Sequence, residues 1–203
     1  MKKTIFTIGR QYGSGGRIIG KKLAEKLDIP FYDRELLTEV AKDNPYSEQI
    51  LESFDEKPMK SLLYSIAMGT GGAIGNPAMP LSVQAYLAQF QTIKKLADEC
   101  ERGCVFIGRC SDYVLQDRDD VVSVFIKADL EYRKEHAKSY SDDISGSITD
   151  KIRKIDKNRA SYYEYYTENK WGNASNYDLC LDSGKIGEEN CVKLICEFAE
   201  MMR

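Results

Sequence analysis

Short apolar runs alternate along this chain with longer stretches in which apolar residues recur every three or four positions. The short runs fall at 4–8, 30–32, 104–107, 121–126 and 177–181. The last three are almost continuously apolar, the pattern of strands covered on both faces in a parallel sheet. Ile19, Leu23 and Leu27 mark the apolar face of a helix after the first strand. Leu87, Phe90, Ile93, Leu96 and Ala97 mark a second helix, and Val192, Ile195, Phe198 and Met202 a last one. This alternation predicts a doubly wound α/β fold whose ligands sit beyond the C-terminal ends of the strands.

Two regions break the pattern. Residues 53–80 hold a helix-like piece at 59–68 and then Gly69-Thr70-Gly71-Gly72-Ala73-Ile74-Gly75-Asn76-Pro77, which reads as a mobile lid or a connector because no strand leads into it. Residues 133–170 are helical by pattern but polar, the signature of a solvated helix pair. Within them, Tyr162, Tyr163, Tyr165 and Tyr166 suit packing better than base stacking.

The first strand runs into Gly9-Arg10-Gln11-Tyr12-Gly13-Ser14-Gly15-Gly16-Arg17 and then directly into a helix. A glycine-rich turn between strand and helix gathers backbone N–H groups and a positive helix end around one point, as phosphate binding requires. The familiar signature G-x-x-x-x-G-K-[ST] is incomplete here. With Gly13-Ser14-Gly15 as the central turn, Arg10 stands at its first glycine, Gly16 at its lysine and Arg17 at its hydroxyl residue.

At 203 residues the chain suffices for one domain with a full core. A net charge of −3 provides no basic field for nucleic acid or a membrane surface, and there is no long apolar span or signal-like start. Six cysteines without a CxxC pair read as free thiols in a reducing cytoplasm, and the single histidine, His136, argues against a zinc site.

The remaining candidates follow strands or lie on the helices after them. Asp33-Arg34 follows the second strand, Gly108-Arg109-Cys110-Ser111-Asp112 the third, and Arg133 lies on the helix after the fourth. Asp156-Lys157-Asn158-Arg159 precedes the fifth. Several arginines meeting at one sheet edge suit phosphoryl transfer, which depends on positioning and charge neutralisation. Each has a plainer reading. Asp33 serves equally as a helix cap, Arg133 as an ordinary surface arginine, and Asp156 with Arg159 as a local pair worth a few tenths of a kcal/mol.

The segments GRQYGSGGRIIGKKLAEKLDIPFYDRELL, VFIGRCSDYVL, VFIKADLEYR, KIDKNRASYYEYYT and YDLCLDS, in this order, resemble the cytidylate kinase-like branch of the P-loop nucleoside monophosphate kinases over nearly the whole chain. The resemblance implies a three-layer P-loop sandwich with a five-stranded parallel sheet, one domain over 1–203. Residues 45–100 would be a helical acceptor-binding insertion and 133–170 lid-like helices. It implies ATP-dependent phosphoryl transfer to a nucleoside monophosphate, CMP or dCMP being favoured. Arg10, Gly13, Ser14, Gly15, Gly16, Arg17 and Lys21 would hold ATP, with Arg17 or Lys21 supplying the missing lysine's charge. Asp33, Arg34, Arg109, Asp112, Asp156 and Arg159 would hold the acceptor, with Asn158 in the same closing segment. Arg17, Arg109, Arg133 and Arg153 would serve the transfer. Mg²⁺ would bridge the donor oxygens through Ser14 or Asp33 and water, without a dedicated set of metal ligands. Cys110 departs from the family's aspartate after Gly-Arg, Arg34 from a small residue. These departures and the lysine-less loop keep two alternatives open: a non-catalytic nucleotide- or phosphate-binding regulatory protein, and a kinase for a small non-nucleotide acceptor.

Overall fold

The β-branched, apolar run at the N-terminus forms β1 (Thr4–Arg10), the middle strand of a five-stranded, all-parallel sheet in the order β2-β3-β1-β4-β5. Its neighbours are β3 (Gly103–Ile107) and β4 (Val121–Lys127), with β2 (Phe31–Tyr32) and β5 (Leu179–Asp182) at the edges. The computed structural model describes residues 3–43, 52, 56, 81–139 and 147–202. The expected helix-like piece at 59–68 and the glycine cluster at 69–77 lie outside them.

All five expected strands are present, with shifted ends. Pro30 precedes β2; it has no N–H for a ladder, and its carbonyl accepts from Val105 N instead. Tyr177 and Asp178 precede β5, because Asp178 is occupied by Ser123. The expectation of full cover fails for β5: it is an edge strand, half-buried at best, with Cys180 exposed. Its apolar run mimicked a central strand because periodicity does not report a strand's place in the sheet.

Strand side chains alternate between two helical layers. Phe6 and Ile8 pack with Ile19 and Leu23 of α1 (Gly16–Leu27) and with Val192 and Ile195 of the C-terminal helix. Ile5 and Phe106 face Leu36 and Val40 of α2 (Glu35–Asp43) and Ala88, Ile93 and Ala97 of α3 (Leu81–Glu99). These layers make the three-layer sandwich. Next come the short α4 (Ser111–Val114), then α5 (Leu130–Lys138), α6 (Ile148–Thr167) and the C-terminal α7 (Ser183–Met201). Met202 falls beyond α7 and is exposed, outside the face assigned to it.

The polar look of 133–170 conceals an anchor. Tyr162, Tyr163 and Tyr166 of α6 are buried with Tyr86 of α3. Tyr86 and Tyr166 stack with ring centroids 3.7 Å apart. The tyrosines therefore pack, and they tie the C-terminal half of α6 to the domain core.

Candidate active site

The loop after β1 is held from several sides. Gln11 N donates to Ile126 O at 3.0 Å, and Gln11 Oε1 accepts from Ala128 N at 3.1 Å, which fixes the chain against the end of β4. Gly13 (φ 80°) and Gly15 (φ 76°) take left-handed conformations that turn the chain into α1. The amides in the first turn of α1 have no partners within the helix, and the macrodipole makes that end positive. Ser183 Oγ donates to Ser14 O at 2.6 Å from behind.

This cradle opens on a cavity of about 470 Å³ lined by the loop, Asp33, Arg34, Arg109, Arg159 and Glu56. Arg10, Arg17, Arg34, Arg109 and Arg159 all reach it, and two carboxylates divide most of them. Asp33 accepts from Arg17 Nε at 2.5 Å and from Arg109 at 3.4 Å. Glu56 accepts from Arg10 at 2.5 Å and from Arg159 Nε at 2.9 Å. Burial alone would raise both carboxyls, but the guanidinium groups of Arg10, Arg109 and Arg17 hold Asp33 below the usual carboxylate range, and those of Arg10, Arg159 and Arg109 hold Glu56 well below it.

The remaining expected site residues divide by position. Asp156 lies behind the loop: it accepts from Tyr12 N at 2.7 Å and from Arg133 at 2.5 Å, so this pair clamps the cradle from outside the cavity. Arg153 is exposed on α6, and neither it nor Asn158 lines the cavity. Lys21, 63% exposed, faces Glu25 and the groove beside Phe31, away from the cradle. Ser14 is buried outside the cavity lining, its hydroxyl directed at Gln11 O (2.8 Å) and Ile126 O (3.1 Å) instead of at the place expected for a metal. His136 pairs with Glu188. Glu56 was missed altogether. It lies between patterned elements, and nothing local distinguishes it from the chain's other glutamates.

Asp112 lines a smaller pocket that shares Arg10, Glu56, Arg109 and Arg159 with the cavity and is walled on its other side by Cys110, Tyr163, Tyr177 and Trp171. It accepts from Tyr163 OH at 2.7 Å, and burial pushes its carboxyl up to about 6. Burial also pushes the Cys110 thiol well above its usual value. A raised carboxyl contributes stability that is present at low pH and lost as the pH rises through about 6. Asp112→Asn, which keeps an acceptor for Tyr163, is therefore expected to stabilise the protein at pH 8 by up to about 3 kcal/mol. The gain shrinks toward zero as the pH falls to about 4. Urea unfolding at several pH values measures it, and a pH-independent difference would contradict the assignment.

A glycine-rich loop opening from the central strand of a parallel sheet in this order, onto an arginine-lined cavity, marks a P-loop kinase fold. Within that class, residues 5–185 match the cytidylate kinase-like family, to which the chain belongs. An uncharacterized protein from Eubacterium ventriosum ATCC 27560 shares 28% identity with a TM-score of 0.73, over 98% of this chain and 99% of that one. Shikimate kinase from Bacteroides thetaiotaomicron (13% identity, TM-score 0.51, 97% and 98% covered) and a gluconokinase from Sinorhizobium meliloti 1021 (10%, 0.51, 98% and 95%) share the fold. No curated protein matches the chain. Among the described residues no helix is long and apolar enough to cross a membrane.

The fold implies a nucleotide, usually with Mg²⁺. The cradle suits the phosphates. It does not suit the metal in the usual way, because Ser14 bonds carbonyls, Arg17 takes the place of the hydroxyl residue, and arginines claim both cavity carboxylates. Among the described residues no group of three or more His, Cys, Asp or Glu could hold a metal ion.

Proposed function

We propose that this chain is an ATP-dependent phosphotransferase of the nucleoside monophosphate kinase type, with CMP or dCMP as acceptor. One observation carries the reading: the cavity joins the phosphate cradle to Arg109 and Arg159, so donor and acceptor phosphates fit within one arginine-lined space. An oxygen of the acceptor phosphate attacks the terminal phosphorus of ATP, and the bond from that phosphorus to the bridging oxygen breaks. ADP leaves, and the acceptor becomes a diphosphate. The loop orients the donor, Arg109 positions the acceptor, and the guanidinium groups neutralise charge spread over the transferred group. The free thiols support a cytoplasmic location, and the charge of −3 supports small-molecule rather than nucleic-acid partners.

The missing lysine and the ion-paired carboxylates favour a second reading, a binding protein without turnover. Incubation with ATP, Mg²⁺ and a panel of monophosphates, extended to small hydroxylated non-nucleotide acceptors, separates the two. ADP release with CMP or dCMP, above that with ATP alone, is the expected result. ATP binding without transfer to any acceptor establishes the binding protein, and transfer only to a non-nucleotide acceptor overturns the choice of substrate.

A further inference from the structure

We infer that Arg10 supplies the cation that the phosphate loop lacks, delivering it from the strand instead of from the helix. The inference rests on the phosphate-binding reading above and assigns a contact within that site. Gly16 stands where the signature has lysine, and the structure shows what occupies the space. A Cβ on Gly16 would lie 2.5 Å from Arg10 Cβ and 3.1 Å from its Cγ, with Ile126 Cβ at 3.4 Å on another side. The stem of Arg10 therefore runs across Gly16. At its far end the guanidinium lies against Gly108, where a Cβ would overlap Arg10 and Glu56. Two glycines thus make room for one arginine, which spans from the loop to the residue before Arg109.

The exchange is reciprocal. Arginine replaces glycine at the end of the strand, and glycine replaces lysine at the start of the helix, so charge and volume are both conserved by a different route. The other cations near the loop are placed differently. Arg17 has a side chain 59% exposed and bonded to Asp33, and Lys21 is 63% exposed beside Glu25. Arg10 is 11% exposed and lines the cavity, its guanidinium sharing Glu56 with Arg159. Burial and the nearby Arg159 make its proton easier to lose, yet an arginine remains charged under these conditions. Two guanidinium groups sharing one carboxylate form a place for an anion, and phosphate oxygens fit the arginine fork in pairs. Glu56 is the resting counter-ion of that place.

The test is ATP titration by calorimetry, with melting temperatures, on wild type, Arg10→Met, Arg17→Met, Gly16→Lys, Arg10→Gly and Arg10→Gly/Gly16→Lys. Arg10→Met keeps the stem over Gly16 while removing the charge. It is expected to weaken ATP binding by ~10-fold or more, the scale of one charge-assisted phosphate contact, and by more than Arg17→Met does. Gly16→Lys alone, forced against the Arg10 stem, is expected to weaken binding and lower the melting temperature. The double variant, with the stem removed and the lysine restored, is expected to bind ATP better than either of its single parents. Unchanged ATP affinity in Arg10→Met, or a folded double variant no better than Arg10→Gly, overturns the inference. Should the double variant fail to fold, Arg10→Met decides alone. Wild type that binds no ATP removes the phosphate-site reading itself, an outcome distinct from ATP binding that ignores Arg10.

Discussion

Arg109→Ala is expected to lower the melting temperature by ~5–10 °C and to abolish CMP binding while changing ATP affinity little. The Arg109 side chain is 2% exposed, and it bonds Asp33 at 3.4 Å and the Ile107 carbonyl at 3.2 Å. Breaking a buried pair costs about 3–5 kcal/mol when the surviving charge is left alone. Asp33 keeps Arg17 at 2.5 Å and is not left alone, so the loss falls to or just below the low end of that range, ~2–3 kcal/mol. For a chain of this size each kcal/mol moves the midpoint by about 2–4 °C.

The same pair makes stability depend on acid. Asp33 is held below its ordinary value, so its contribution is full above about pH 4 and is lost as the pH falls through its lower folded value. Arg109→Ala should flatten that acid loss, since Arg109 is one of the groups holding Asp33 down. Thermal melts between pH 2 and 7, as a range of about five units, with CMP and ATP titrations, test both parts. Loss of stability with CMP binding intact would assign Arg109 to the scaffold alone.

Gly13→Ala is expected to reduce ATP affinity by ~10²-fold, equivalent to about 3 kcal/mol. Gly13 has φ 80°, which costs a residue with a Cβ about 1–2 kcal/mol. That Cβ would also overlap the backbone carbonyl of Arg133, which cannot swing aside as a side chain can. Arg133 bonds Asp156, and Asp156 holds Tyr12 N, so any shift returns to the loop itself. Gly187→Ala is the control. Its φ of 77° and ψ of 162°, at a kink in α7, are essentially restricted to glycine, and nothing lies within 4 Å of its Cβ position, so it bears at least the conformational cost of Gly13 without the collision. Comparable losses of ATP affinity in the two variants would show that backbone strain, and not the Arg133 contact, shapes the cradle.

The reading of the loop shows how far local pattern extends. A strand, a glycine turn and a helix within 24 residues of Thr4–Leu27 announce an anion cradle, because conformational freedom and helix polarity are local properties. The same holds for the five strands and for Ile19 and Leu23 on the buried face of α1. Arg109 was visible as a charge directly after a buried strand, and the structure lines the cavity with it. Asp156 was legible as a local partner of Arg159 and, by resemblance, as an acceptor contact, whereas the structure sets it on the loop amide outside the cavity lining. Its attachment to Tyr12, 144 positions away, had no local sign.

By itself, then, the sequence determined the elements, their parallel order of strand and helix, and the edge of the sheet where phosphate chemistry belongs. Only the tertiary structure decided which charges neutralise one another and which remain directed into the cavity. Glu56 between Arg10 and Arg159, and Asp33 between Arg17 and Arg109, join segments 16 to 103 positions apart. Periodicity reports which face of an element is buried. The choice of partner for a charge depends on where distant segments of the chain meet, and the glycines that admit Arg10 have meaning only beside it.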